Sequence, residues 1–572
     1  MRRASLLASA ILAALVVATA GAPAQADGPP PDDDPTRQSP FGGQLPPPLT
    51  EPASQAVPPP GFAISAGDAI AAADGTEAVR EQLAETPDAE PVALIRGVRW
   101  QVGYFTADGD EVARAIVDGE TGAVDEAWRS HQVETKLARG YERAVAQKVN
   151  APYVWIPLCI LFCAAFVDPR RPLRLIHLDL LVLVGLSASL YFFNRAEITV
   201  SVPLYYPVLA YVLVRMLAAG LWPRERPGPL VPLVPIRALA VCAVVLLCGR
   251  VALNVFDSRV IDVGVAGVVG AERITSGEPL YEGGFSPGLD LRGDVYGPAN
   301  YLAYIPFEQL LPWDGVWNGV AAAHAAAIAF DLLCVLGLLV LGRRLRGGAE
   351  GRALGWALAF AWVAYPFTLY TLNANANDAL VAALGIGALL ALGSAPVRGA
   401  LLALATAAKF GSAALAPLFA TATGERRWRR ALVFSVAFAA VAAAVVLPFV
   451  PDGGLRELYD RTLGYQATRG SPFSVWGLAP SLDFLQPLAR AAVVALAVGV
   501  GLWPRSKSPV QIAALAAAVT VAVQLTTAHW FYFYVVWFLP FTLVAAFASQ
   551  RRIAGRPQSG SPAVTHPGPG QR

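Results

Sequence analysis

Two stretches of this chain gather residue types able to do chemistry. Residues 257–314 carry Asp257, Asp262, Glu272, Asp290 and Asp294, and close on "DVYGPANYLAYIPFEQLLPW" with Tyr296, Tyr301 and Tyr304. Residues 450–486 carry Arg461 and Arg469 around "TLGYQATRGSPFSVW". A carboxylate can take a proton from a hydroxyl as that oxygen attacks a carbon. Arginines and lysines can hold a departing phosphate in a dry site, and tyrosines can stack on a sugar or an apolar chain. Three further positions belong to the same inventory. Lys409, in "AAKFGSAALAPL", is the only lysine at apparent membrane depth; Asn377-Asp378 opens an apolar segment; and His529 begins "HWFYFY". The outer loops show no ligand spacing for a metal, and the chain has no phosphate-cradling Walker loop, dinucleotide fingerprint or nucleophile elbow.

Each residue also has a plainer reading. Asp257 and Asp262 are five apart and would diverge by about 140° on one helix, which argues against a paired-carboxylate site. Asp257 fits the end of a span and the cap of the next helix. Asp262 sits among apolar neighbours, where a carboxylate is costly unless paired or useful; an intrahelical bridge to Arg259 would pair it. Lys409 either snorkels to an interface or points into a cavity. Surface charge accounts for an arginine, an interfacial aromatic belt for the tyrosines, and helix capping for Asp378.

The elements that position these residues are mostly membrane helices. Of 572 residues 55% are hydrophobic and 15% charged, with mean hydropathy +0.48, whereas soluble chains carry roughly 25% charged residues. The net charge of +2 gives no basic footprint for nucleic acid. The five cysteines, Cys159, Cys163, Cys242, Cys248 and Cys334, all lie in apolar segments and read as packing residues. Apolar spans are expected near 151–167, 175–193, 203–222, 238–256, 315–342, 353–372, 378–393, 431–449, 487–503, 510–527 and 530–549. "RGALLALATAAKFGSAALAPLFATATGERRWRR" breaks the alternation, because as one span it would put "ERRWRR" outside. A re-entrant hairpin with its tip near Lys409-Phe410-Gly411 restores it. The fold class is thus a polytopic α-helical protein with about 11 spans. Residues 257–314 and 450–486 then fall outside, and basic loops such as "PRERPG" inside. Val260–Ile274 suits a helix at the interface or wedged between spans.

The N-terminal end reads differently. Residues 1–26 have the form of a secretory signal ending at Ala24-Gln25-Ala26, 27–61 of a Pro-rich flexible tether, and 550–572 of a disordered cytoplasmic tail. Residues 62–150 are expected to form a small α+β extracytoplasmic domain. "ISAGDAIAAADGTEAVREQLAE" reads as a helix with Ser65 as its cap, and "PVALIRG", "VRWQVGYF" and "EVARAIVDG" read as strands. Helix, strands and the closing "VDGETGAVDEAW" resemble a PepSY domain, which implies a regulatory or binding role without catalysis. Residues 151–237 would add accessory spans before a core at 238–549.

That core resembles the GT-C membrane glycosyltransferases, closest to glycosyltransferase family 87, which includes polyprenol-phosphate-sugar-dependent mannosyltransferases. "IDVGVAGVVGAERITSGEPLY" with "VYGPANYLAYIP" matches the family's first outer loop. "NANANDALVAAL", "AAKFGSAALAPL", "RTLGYQATRGSPFSVWGL" and "HWFYFYVVWFLP" look like its later landmarks, in the same order. The loop departs from the family in having no aromatic soon after the aspartate. The resemblance implies that Asp262, with Asp257 next in line, acts as general base, and that Lys409, Arg461, Arg469 and His529 hold a donor phosphate. Tyr296, Tyr301, Tyr304 and Asp378 would line the substrate. It implies a polyprenyl-phosphate sugar (mannose or pentose) as donor and a cell-envelope glycan, lipid or protein as acceptor. Membrane lipids surround the protein; no cofactor, metal or nucleic acid is expected. Nucleotide sugars do not cross lipid unaided, so an outward-facing transferase at the plasma membrane needs a membrane-borne donor. Two other readings compete: a transporter or lipid-carrier flippase, and a non-catalytic sensor with a PepSY-like regulatory ectodomain.

Overall fold

The computed structural model describes residues 50–106, 111–129, 147–194, 197–224, 226–231, 233–281, 285, 293–313, 320–422, 427–468 and 471–551. The expected signal segment, most of the tether, most of the tail, Asp290 and Arg469 lie outside the described residues.

The N-terminal module starts with two helices, α1 (Ala66–Asp74) and α2 (Glu77–Glu85). The single helix expected here divides because two caps follow in succession. Ser65 and Asp68 form a reciprocal capping box at α1, and Thr76 accepts the Val79 amide at the start of α2. An antiparallel meander follows: β1 (Glu90–Arg96), β2 (Arg99–Phe105), β3 (Glu111–Asp118) and β4 (Val124–Arg129). Alternate side chains share a sheet face, so Trp100, Val102 and Tyr104 of β2 pair with Val117, Ala115 and Ala113 of β3, and all six are buried in the module's own core. Thr50 already pairs with Ile95, so contacts to the sheet begin upstream of residue 62.

The apolar part comprises α3 (Pro152–Ala164), α4 (Leu175–Phe193), α5 (Ile198–Leu221), α6 (Ile236–Phe256), α7 (Asp262–Ser276), α8 (Ala321–Leu345), α9 (Gly348–Ala364), α10 (Pro366–Asn373), α11 (Asp378–Leu390), α12 (Ala395–Ala408), α13 (Arg427–Val446), α14 (Gln486–Leu502), α15 (Pro509–Leu525) and α16 (Val535–Ala548). Among the described residues six helices are long and apolar enough to cross a membrane: α4, α5, α6, α8, and α13 and α14 with their adjoining turns. The segment expected as one span at 353–372 is instead α9 and α10, bent by 59°. Pro366 has no amide to continue the ladder and holds Tyr365 in an extended conformation. Counting that pair gives up to seven; α3, α11, α12, α15 and α16 are shorter apolar helices.

The broken helix expected at Lys409 is present. α12 stops at Ala408, Lys409 is extended (φ −140°, ψ 115°), and a 3-10 turn Phe410–Leu415 leads into the short helix Ala416–Ala420. Both ends of this hairpin reach one end of the bundle. Thr421 donates to the Gly501 carbonyl at the end of α14, while Leu390, just before α12, accepts from Arg344 at the end of α8. α7 is wedged rather than surface-lying, with Val263 to Ala271 all buried.

Candidate functional site

The site begins with a turn. Residues 373–377, "NANAN", join α10 to α11, with Asn375 at φ 52°; asparagine tolerates that left-handed conformation better than most side chains. The turn grips the segment between α6 and α7. Asn373 Nδ2 donates to the Asp257 carbonyl at 3.0 Å, and Asn375 Nδ2 donates to Ser258 Oγ and to the Arg259 carbonyl, each at 3.0 Å. Asn254 on α6 donates to Asn375 Oδ1 at 2.8 Å. His324 Nδ1 lies 3.2 Å from both Ser258 Oγ and Asn254 Oδ1. These bonds fix where α7 begins, and therefore where Asp262, its first residue, stands.

Asp262 is exposed at the N-terminus of an otherwise buried helix. Arg259 precedes α7 rather than lying on it, so the two do not share one helix. Asp257 has a different place. It is the C-cap of α6, with its carboxylate 2.7 Å from Lys148 Nζ. It does not cap the next helix; that position belongs to Ile261, because the chain runs on from Asp257 before α7 starts.

Three turns of α7 are glycine on one side: Gly264, Gly267 and Gly270. A Cβ at Gly264 would come within 2.7 Å of the Asn375 carbonyl, and one at Gly267 within 2.6 Å of the Tyr304 ring; one at Gly270 would collide with Tyr301. The bare face lets both tyrosines lie close against the helix. Tyr301 is fully buried and donates to the Gly293 carbonyl at 2.5 Å, which makes it an internal strut. Tyr304 is equally buried, and its hydroxyl, within electrostatic reach of Asp378, has no hydrogen-bond partner among the described residues.

The centre of the cluster is an ion pair. Lys409 Nζ lies 2.8 Å from Asp378 Oδ1, with side chains 8% and 1% exposed. Trp537 Nε1 donates to the same oxygen at 2.8 Å. Around the ammonium stand the rings of Tyr296 at 5.3 Å and of Tyr534 and Trp537 at 5.5 Å each, an arrangement that stabilises a desolvated cation. The helix break at Lys409 turns its side chain toward the start of α11, where Asn377 is the N-cap without a side-chain capping bond and Asp378, the first helical residue, pairs with the lysine. Gly297 allows the strip 293–304 to lie directly on the break, where a side chain would collide with the Ala407 carbonyl.

His529 sits on the edge of this cluster. Its Nδ1 is 2.8 Å from Ser471 Oγ, and its ring lies 6.3 Å from Tyr534. Arg461 is further out. It pairs with Asp294 at 2.9 Å and Glu457 at 2.7 Å, at the wall of an open cleft of about 660 Å³ between the two long loops. The structure thus brings together Lys409, Asp378, Tyr296, Tyr304 and His529, and ties Arg461 to them through Asp294, two residues before Tyr296.

Residues 295–548 match glycosyltransferase family 87. No curated protein matches the chain. The family-87 segment takes in the Lys409–Asp378 pair, the tyrosines, Arg461 and His529, and it supports a membrane glycosyltransferase. It begins after α7, so the match itself does not reach Asp262.

Asn254, Ser258, His324, Asn373, Asn375, Tyr534 and Trp537 were not among the residues singled out from sequence. The alternation of asparagine with alanine was the available signal, since amides in apolar surroundings are costly unless bonded.

Proposed function

We propose that this protein transfers a sugar from a polyprenyl-phosphate donor to a cell-envelope acceptor on the extracytoplasmic face, with Asp262 as general base. One observation supports this reading above the others. An exposed carboxylate stands at the start of α7, directly after a segment gripped by the same Asn turn that leads, within three residues, to the buried Asp378–Lys409 pair. A proton acceptor and a phosphate-holding cation therefore share one scaffold.

In the reaction the acceptor oxygen attacks the anomeric carbon while its proton passes to Asp262. The bond between that carbon and the phosphate oxygen breaks, and polyprenyl phosphate leaves with the electron pair, inverting the sugar. Lys409 gives one N–H to Asp378 and has two more for the phosphate. His529 adds a donor at the edge of the site, and the ring of Tyr296 offers a face for the sugar or prenyl chain. The cleft bearing Arg461 gives the acceptor a route in from the outer loops. The N-terminal module, read as PepSY-like, regulates transfer, binds the acceptor or recruits a partner.

A transporter or flippase is the second reading, favoured by the helix breaks at Pro366 and Lys409. The test is transfer by the purified full chain in lipid nanodiscs, given labelled polyprenyl-phosphate mannose or arabinose and a membrane extract. Transfer by wild type and its loss by at least about a hundredfold in Asp262→Asn, as expected for a general base, supports the enzyme. Equal transfer by both proteins moves the base elsewhere. No transfer with any donor, from well-folded protein, sinks the reading in favour of a transporter or a non-catalytic sensor.

A further inference from the structure

At the far end of the bundle from this cluster lies a second concavity, of about 840 Å³. It opens between the C-terminal ends of α5, α8 and α16 and the N-terminal end of α15. The opposite ends of three of these helices reach the site region: Tyr205 and Tyr206 of α5 bond to residues 473–475, Gln524 in the last turn of α15 accepts from Trp530, and α16 begins beside Tyr534. The two places are therefore one helix length apart, roughly 20–35 Å for helices of these lengths.

Four arginines line this groove, Arg215, Arg224, Arg226 and Arg344, and among the described residues no acidic one does. Arg215 is neutralised by Asp179, which it meets through Nε at 2.9 Å and Nη2 at 3.0 Å, with Tyr211 donating to the same carboxylate. The others are not. Among the described residues Arg224 and Arg226 make no ion pair, and Arg344 gives one N–H to the Leu390 carbonyl. Burial and then the neighbouring charge of Arg215 pull the Arg226 guanidinium below its usual range, with Asp179 acting the other way. Among the described lining residues the groove therefore carries more cations than paired carboxylates.

The remaining lining is apolar, including Leu175, Ala219, Leu345, Val510 and an exposed Trp222. A free anion would satisfy the arginines and leave that apolar wall uncovered. A lipid would meet both, with its phosphate on the guanidinium forks and its chains along the helix ends. Tryptophan at such a level is the usual interfacial anchor. We infer that this groove is a binding site for the phosphate headgroup of an anionic membrane lipid, on the membrane face opposite the proposed transfer site. The assignment does not depend on the transferase reading.

The test measures retention of radiolabelled phosphatidylglycerol by the purified full chain in detergent, with phosphatidylcholine as the neutral control. The proteins compared are wild type, the double variant Arg224→Gln/Arg226→Gln, and Arg343→Gln, an exposed arginine outside the groove. Among the described residues neither substituted arginine pairs with a carboxylate, and equal melting temperatures would verify folding. Phosphatidylglycerol should bind the double variant about tenfold or more weakly, as expected for two lost phosphate-facing cations. Arg343→Gln should match wild type, phosphatidylcholine should not discriminate, and excess inorganic phosphate should leave the lipid bound. Equal phosphatidylglycerol retention by all three proteins overturns the site. Binding of inorganic phosphate that displaces the lipid in wild type overturns the lipid as its occupant.

Discussion

Lys409 and Asp378 show how a buried charge can be tolerated in an apolar bundle. Each carries a cost that the other offsets, and Trp537 and the surrounding rings complete the coordination. Removing one partner leaves the other uncompensated, so Lys409→Met and Asp378→Asn should each lower stability by about 3–5 kcal/mol. The double variant Lys409→Met/Asp378→Asn should recover most of that loss, because the amide oxygen introduced at position 378 can still accept from Trp537, yet it should transfer no sugar. Thermal unfolding in detergent, read beside the nanodisc assay, separates the two effects. Recovery of transfer along with stability would show that the lysine is purely structural. Asp262 is a different kind of residue: it is exposed at a helix start, and its value lies in its position.

That position is set by elements that contain no reacting group. The Asn turn between α10 and α11 fixes the start of α7, and the glycine face of α7 seats it on Tyr301 and Tyr304. Asn375 contributes twice, through its left-handed backbone and through donors to Ser258 and to the Arg259 carbonyl. Asn375→Ala strains the first and deletes the second, at a cost of about 2–3 kcal/mol. Because the freed segment leads straight into Asp262, kcat should fall by about tenfold or more while KM for the donor stays within about twofold. Steady-state kinetics on the folded variant checks this; unchanged kcat would mean that α7 is held well enough without the turn.

Across the whole molecule, the hairpin 395–421 returns to the end from which it came, and this sets the direction of everything after it. If the two long loops face outward, the segment after α14 faces inward together with the arginine groove. A membrane-impermeant maleimide should then label Asp452→Cys from outside intact cells and Arg505→Cys only after the membrane is opened, while both variants remain active. Labelling of Arg505→Cys in intact cells would mean that the hairpin spans the membrane and that the later topology is inverted.

Much of this arrangement is legible in the sequence because it depends on local composition and period. Apolar runs, the positive charges at their ends, the Ser65 cap and the alternation of β2 and β3 are all properties of neighbouring residues. The helix break at Lys409 was legible too, since continuing the helix would carry "ERRWRR" to the wrong side. The bend at Pro366 carried a sequence signal, but one weaker than the hydropathy around it. What the sequence does not reveal is which distant groups meet. Lys409 and Asp378 are 31 residues apart, and Asn375 and Ser258 are 117 apart. Their encounters follow from how the apolar helices pack against one another, and apolar surface alone is non-directional. The chain by itself therefore determined which segments enter the membrane and which side chains are costly there; only the tertiary structure decided which distant groups meet, as Lys409 meets Asp378, and that Asp262 stands exposed at the start of a buried helix.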